Sequence, residues 1–125
     1  MEGQVDFDKQ TSTKGEKAMS KEKIWARLRT IMTEEECGRI EIFETGYGIQ
    51  MRVDIHYMTA REARRFLKNI VLLVRDRFEM IVVHGYTHGT VLMEMLSTEV
   101  ISGRERAKIR PFMNPGITQI EFAAA

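Results

Sequence analysis

The stretch that decides the fold runs over residues 49–90 and has three parts. The first reads Ile49-Gln50-Met51-Arg52-Val53-Asp54-Ile55-His56. The second reads Thr59-Ala60-Arg61-Glu62-Ala63-Arg64-Arg65-Phe66-Leu67-Lys68-Asn69-Ile70-Val71-Leu72-Leu73-Val74. The third reads Met80-Ile81-Val82-Val83-His84-Gly85-Tyr86-Thr87-His88-Gly89-Thr90. In the first part Ile49, Met51, Val53 and Ile55 alternate with Gln50, Arg52, Asp54 and His56, the period of a strand with one buried and one polar face. In the second, Thr59 and Glu62 stand at capping-box spacing. Ala63, Phe66, Leu67, Ile70, Val71 and Val74 then form a wide apolar stripe, so a helix of about four turns is expected. The third is a short strand, residues 80–84, with a glycine-containing loop behind it. Val91, Leu92, Met95 and Leu96 continue as a second helix that Ser102 and Gly103 should terminate. Strand, helix and strand in that order call for a right-handed crossover and parallel pairing.

Working outward, residues 40–45 read as a strand with apolar residues on both faces. Thr45-Gly46-Tyr47-Gly48 is a turn, so this strand and the Ile49 strand form an antiparallel hairpin. Downstream, residues 106–110 read as a strand and residues 112–116 as a turn with Pro115 and Gly116 at type II positions. Residues 117–122 are the last strand. The expected fold is α/β: a two-layer sandwich whose mixed sheet has a βαβαββ core. The polar face carrying Asp54 implies helices on one side only. The domain proper is expected over residues 39–122. Before it, Ser20 offers an N-cap to an amphipathic helix over residues 20–36, built on Ile24, Trp25, Leu28, Ile31 and Met32. That helix docks either on its own domain or on a second copy as a homodimer; its pattern does not choose. Residues 1–19 lack apolar periodicity and read as a tail too polar to offset its ordering entropy.

Composition narrows the class. The 125 residues are 43% hydrophobic and 30% charged, which fits one folded domain and neither a membrane-embedded nor a wholly disordered chain. The single cysteine, Cys37, excludes an internal disulfide and a cysteine-based zinc site, and fits a reducing compartment. No apolar run approaches the roughly 18 residues of a membrane span, and the N-terminus has no apolar signal core. A cytoplasmic protein without a membrane partner is the expectation. The net charge is +1, but from Cys37 onward there are 12 basic against 10 acidic residues, and ten of the 12 are arginine.

The chain has three histidines, and all fall behind the two strands that precede helices. Asp54 and His56 close the first strand, His84 closes the next, and His88 lies in its loop. In open α/β sheets, ligands bind outside the carboxyl ends of parallel strands. The loop from His84 to Thr90 opens a helix, whose free N–H groups suit a phosphate, although it lacks the lysine and hydroxyl pair of a P-loop. Arg61, Arg65 and Lys68 share a helix face. Arg106, Lys108 and Arg110 alternate, so a regular strand would place them on one side. Arginine's planar fork suits phosphate, while a solvated face and edge protection by charge explain the same patches without a ligand.

Taken together, Val53-Asp54-Ile55-His56-Tyr57, His84-Gly85-Tyr86-Thr87-His88-Gly89 and Asn114-Pro115-Gly116-Ile117-Thr118 resemble the motifs of the Smr (small MutS-related) domain. The resemblance covers residues 50–122. It implies a fold similar to the C-terminal domain of translation initiation factor three, binding of DNA or RNA, and, as in several members, nicking of phosphodiester bonds. It carries the catalytic positions over to Asp54 and His56, and the second motif's binding positions to His84, Gly85 and Gly89. Thr87 and His88 lie within the same loop. Two positions depart from the pattern, because Tyr57 and Thr87 stand where the family has glycine. Losing glycine at these positions removes easy access to positive φ and close backbone approach, so a phosphate-contacting loop of different shape is expected.

Phosphodiester cleavage needs an activated oxygen nucleophile, stabilisation of charge at phosphorus and a proton for the leaving oxygen. Asp54 is suited to orient His56 or to hold a divalent cation, Mg or Mn. His56 or His84 is suited to act as base or acid, and the amides of residues 85–89 to hold the phosphate. Three other readings stand beside this one. One is nucleic-acid binding without cleavage. Another is a zinc-dependent hydrolase with Asp54, His56, His84 and His88 as ligands. The third is an interaction module whose histidines are structural.

Overall fold

A computed structural model describes residues 19–85, 90–111 and 113–125. The expected tail, and the loop positions Tyr86, Thr87, His88 and Gly89, lie outside the described residues, apart from Met19. Along the chain the elements are α1 (Lys21–Ile31), α2 (Glu34–Cys37), β1 (Ile40–Thr45), β2 (Gly48–Asp54), α3 (Ala60–Leu73), β3 (Phe78–Val83), α4 (Val91–Thr98), β4 (Glu105–Ile109) and β5 (Ile117–Phe122). The strands form one mixed sheet in the order β1-β2-β3-β5-β4, with helices packed on it. β2 and β3 pair in parallel through α3, and the other pairings are antiparallel.

Strand alternation assembles the core in rows. Met51 stands opposite Met80, which stands opposite Ile120; Ile49, Phe78 and Phe122 form the next row, with the two rings stacked at 5.0 Å. Val53, Val82 and Thr118 form the third row. All nine are buried, whereas Gln50, Arg52, Asp54, Glu79, Ile81 and Val83, of opposite parity, are half-buried or exposed. The helices therefore lie on one face, as the polar side of β2 implied. α3 presents Ala63, Phe66, Leu67, Ile70 and Val71 to that face. Its capping box is complete: Glu62 N–H donates to Thr59 Oγ1 at 3.1 Å and Thr59 N–H to Glu62 Oε1 at 2.9 Å.

The single helix expected over residues 20–36 is two. Thr33 is extended and forms a second capping box with Glu36, so the chain stops at Met32 and restarts as α2. The competing cap outweighs continuation, because Thr in a helix interior is a weak former and at an N-cap a strong one. α1 packs on α3 and β1 of its own chain with Ile24 and Leu28 fully buried, each worth roughly 1.5–3 kcal/mol. Ile31, expected on the same apolar face, is instead 54% exposed.

Two turn and strand expectations also change. Gly116 does not take positive φ, so the turn before β5 is not type II. Asn114 accepts the Gly116 N–H through Oδ1 at 3.2 Å instead, an Asx turn that supplies the same reversal. In β4 the register shifts between Glu105 and Ala107, which ends the regular alternation on which a common face for Arg106, Lys108 and Arg110 depended.

Candidate functional site

The carboxyl ends of β2 and β3 lie side by side. Asp54 is in register with Val83, and Ile55 N–H donates to Val83 O at 2.9 Å, one residue past the strand. Arg39, just before β1, holds this end from the other side. Its carbonyl accepts the Asp54 N–H, and its guanidinium donates to Asp54 O at 3.2 Å and His56 O at 3.3 Å.

Within that frame Asp54 Oδ1 accepts the His56 backbone N–H at 3.0 Å and is also bonded to Nδ1 of the His56 ring. A carboxylate accepts, so Nδ1 carries the proton and Nε2 of the neutral ring carries the lone pair. No described residue bonds Nε2. The two side chains are 42% and 37% exposed, respectively for His56 and Asp54, so the pair is open to a substrate. Beside Asp54 on the uncovered face is a shallow hollow of about 340 Å³ lined by Gly38, Arg39, Glu41, Arg52 and Asp54. Arg52 is only loosely paired there, 3.9 Å from Glu41. A second hollow of about 380 Å³ lies at the other end of the strands, where Arg77 faces Glu121 and Gln50 bonds Glu79.

Tyr57 follows directly, and its φ is 71°. The left-handed conformation that was expected to be lost with glycine is present with tyrosine. For a bulky residue this costs about 1–2 kcal/mol, held here by the structure on either side. The residue is 76% exposed, and its ring lies tilted at 55° against His56, with centroids 4.4 Å apart.

His84 is placed differently. It continues the parity of Met80 and Val82 and is 6% exposed. Its Nδ1 donates to Gly85 O at 2.8 Å, and Nε2 meets Thr118 Oγ1 at 2.9 Å. Both ring nitrogens are occupied. Gly85 takes φ +80°, and His84 and Gly85 both donate to Gly116 O, at 2.9 and 3.0 Å. A Cβ on Gly85 would come 3.7 Å from the His56 Cβ, which shows how closely the two strand ends approach. The structure thus brings Asp54, His56 and Gly85 together and turns His84 into the helix layer behind them. Arg39, Gly116 and Thr118 were missed as site residues. Thr118 had a visible signal, a polar residue on the parity of Ile120 and Phe122.

The basic residues divide in the same way. Arg61, Arg65 and Lys68 are exposed on α3, and Arg106 and Arg110 are exposed around β4. Lys108 instead donates to Leu96 O at 2.5 Å and Glu99 O at 2.6 Å, closing the C-terminus of α4. Arg64 makes two bonds to Glu99, at 2.7 and 3.0 Å. That hydrogen bonding raises the Arg64 pKa and holds the Glu99 carboxyl below its ordinary range. Arg104 donates to Val71 O, Asp76 O and Ala123 O, and burial, with Arg75 nearby, lowers its pKa.

Among the described residues no three His, Cys, Asp or Glu side chains stand together as a metal-ligand set. None of the described helices is long and apolar enough to cross a membrane. Comparisons with protein-family models, with curated proteins and with solved structures return no match for this chain.

Proposed function

We propose that this is a nucleic-acid-binding domain of Smr type that cleaves phosphodiester bonds of DNA or RNA. The observation that carries the reading is the Asp54–His56 pair, half-exposed at the joined ends of parallel strands, with Nε2 unbonded among the described residues and Arg39 and Arg52 lining the adjoining hollow. Its motifs, which resemble those of the Smr domain, support the same reading.

In this reading the phosphate sits in the hollow, where Arg52 and the free edge of the Arg39 guanidinium balance its charge. Asp54 fixes the His56 tautomer. His56 Nε2 removes the proton from the attacking oxygen, a water or in RNA the 2′-hydroxyl, and returns it to the leaving oxygen as the P–O bond breaks. His84 positions rather than reacts: through Thr118 and Gly85 it sets the loop that borders the site. Arg61, Arg65, Lys68, Arg106 and Arg110, all exposed, are available for flanking phosphates. Asp54 and Glu41 are the carboxylates lining the hollow, where a divalent cation, if one is used, would be held.

The test pairs filter binding in a salt series with a cleavage assay on wild type and His56→Ala. Salt-sensitive binding by both proteins, with cleavage lost in the variant by about 10²–10⁴-fold, is the expected result. No affinity for either DNA or RNA would overturn the reading. Binding without cleavage by wild type would reduce it to a binding module.

A further inference from the structure

α3 carries four basic residues, Arg61, Arg64, Arg65 and Lys68, against one acidic, Glu62. Arg64 is bonded to Glu99. Arg61, Arg65 and Lys68 are exposed, and at spacings of four and three they form one line along the helix, opposite the stripe it buries. None of the three makes a hydrogen bond or ion pair with a described residue. The nearby carboxylates are engaged elsewhere: Glu62 accepts the Thr59 N–H, and Glu99 holds Arg64, with Lys68 acting on it only through its field.

The stability of the helix does not account for this line. Arg61 lies in the first turn, where free N–H groups already carry partial positive charge, and the last turn, where cations are favourable, has none. A surface that charge merely keeps soluble intersperses the two signs. What the line achieves is a positive strip, roughly 10 Å long from Arg61 to Lys68. It starts beside the site, since α3 opens at Ala60, four residues behind His56.

We propose that this face of α3 carries the sugar-phosphate backbone of the strand leaving the scissile phosphate, so that the substrate is a polymeric strand and not a dinucleotide. The inference rests on the nucleic-acid reading of the Asp54–His56 site and adds to it where one flank of the substrate lies. Each cation takes one phosphate and releases its counterions, so the strip serves at most about three phosphates and reads no sequence. The forks of Arg61 and Arg65 suit phosphate oxygens, and Lys68 adds a point charge.

The experiment measures, in a salt series, binding of the full chain to a dinucleotide and to a labelled single strand of about ten nucleotides, each as DNA and as RNA. Wild type is compared with Arg61→Gln/Arg65→Gln and with Lys21→Gln/Lys23→Gln. The second variant removes the same charge from α1 at the other end of the sheet, where the Lys21 N–H meets Glu44. Wild type binds the longer strand more tightly than the dinucleotide, by about tenfold or more. The α3 variant loses most of that gain, and its salt slope falls by about 1.4, two phosphate contacts at about 0.7 each. The α1 variant keeps both the gain and the slope. An equal loss in the two variants would mean that net charge alone acts and would overturn the track, as would an undiminished gain in the α3 variant. Either result leaves the Asp54–His56 reading to be judged by cleavage. No binding of either strand by wild type would overturn both readings together.

Discussion

β2 and β3 each run into a histidine within two residues of their last paired position, and the two histidines have opposite surroundings. His56 is half-exposed, anchored through one nitrogen to Asp54, with the other bonded to no described residue. His84 is 6% exposed and anchored through both, to Gly85 O and to Thr118. Adjacency in the sheet does not make two side chains partners. Asp54 stands on the uncovered face of its strand, His84 on the helix-covered face of the next. A ring that can give and take a proton needs one nitrogen held and one open; a ring held at both is a strut. In the proposed reading His56 is the reacting ring and His84 the strut, and the two strand ends approach at Gly85, where a Cβ would lie 3.7 Å from the His56 Cβ.

The largest expected effect comes from disturbing the held nitrogen of His56. Asp54→Asn keeps size and one acceptor oxygen but removes the charge that favours the Nδ1–H tautomer and, under the proposed mechanism, the imidazolium that the reaction would form. Cleavage of a bound oligonucleotide is expected to fall by about 10²–10⁴-fold while its affinity changes little. Retention of near wild-type cleavage by Asp54→Asn would show that the pair does not act as a unit.

The same contrast predicts a stability effect, not a catalytic one, at the other end. His84→Ala leaves the Thr118 hydroxyl and the Gly85 carbonyl without their partner in a buried site, costing about 2–3 kcal/mol. It is read as a lower urea midpoint at unchanged slope. Thr118→Val removes the other half of the bond, and the two losses should be less than additive, because the residues share one interaction. If folded His84→Ala loses cleavage as completely as Asp54→Asn, the distinction between strut and reacting ring fails.

The backbone separates the two ends once more. Gly85 at φ +80° and Tyr57 at φ 71° occupy the same left-handed region, one cheaply and one at a cost. Gly85→Ala is expected to destabilise by about 1–2 kcal/mol by conformation alone, since a Cβ there meets only ordinary contact at 3.7 Å. A destabilisation well beyond that range would mean the approach to His56 is tighter than the static distance shows.

How much of this was legible beforehand follows from what alternation and capping can encode. β2, α3 and their crossover to β3 were readable, because Ile49, Met51, Val53 and Ile55 keep period two and the Thr59–Glu62 box marks where period 3.6 begins. The edge where Asp54, His56 and His84 collect was readable too, since strand ends are points along the chain. The face was not drawn out: His84 shares the parity of Val82, opposite to Asp54, and an argument from strand ends ignores parity. The break at Thr33 and the bulge at Glu105/Ala107 were hidden because each depends on a local competition, cap against helix and register against twist. Lys108 looked like a surface cation because its partners are carbonyls of α4, brought near only by tertiary packing.

The smallest expected effect concerns the tie between the two strand–helix units. Arg64 of α3 grips Glu99 at the C-terminal end of α4, and that hydrogen bond, more than burial, sets the carboxyl, with Lys68 and Lys108 adding to the lowering. The folded pKa of Glu99 therefore lies below its unfolded value, near 4.5. Its contribution to stability is full above the unfolded value and is lost as pH falls through the folded one. Glu99→Gln should lower the urea midpoint slightly at neutral pH and converge on wild type in acid, where the wild-type carboxyl is protonated as well. The pair is exposed to solvent and should weaken further with salt. A difference between variant and wild type that grows toward acid would mean that the carboxyl is not held below its ordinary range, and that the contact with Arg64 is not what joins α3 to α4.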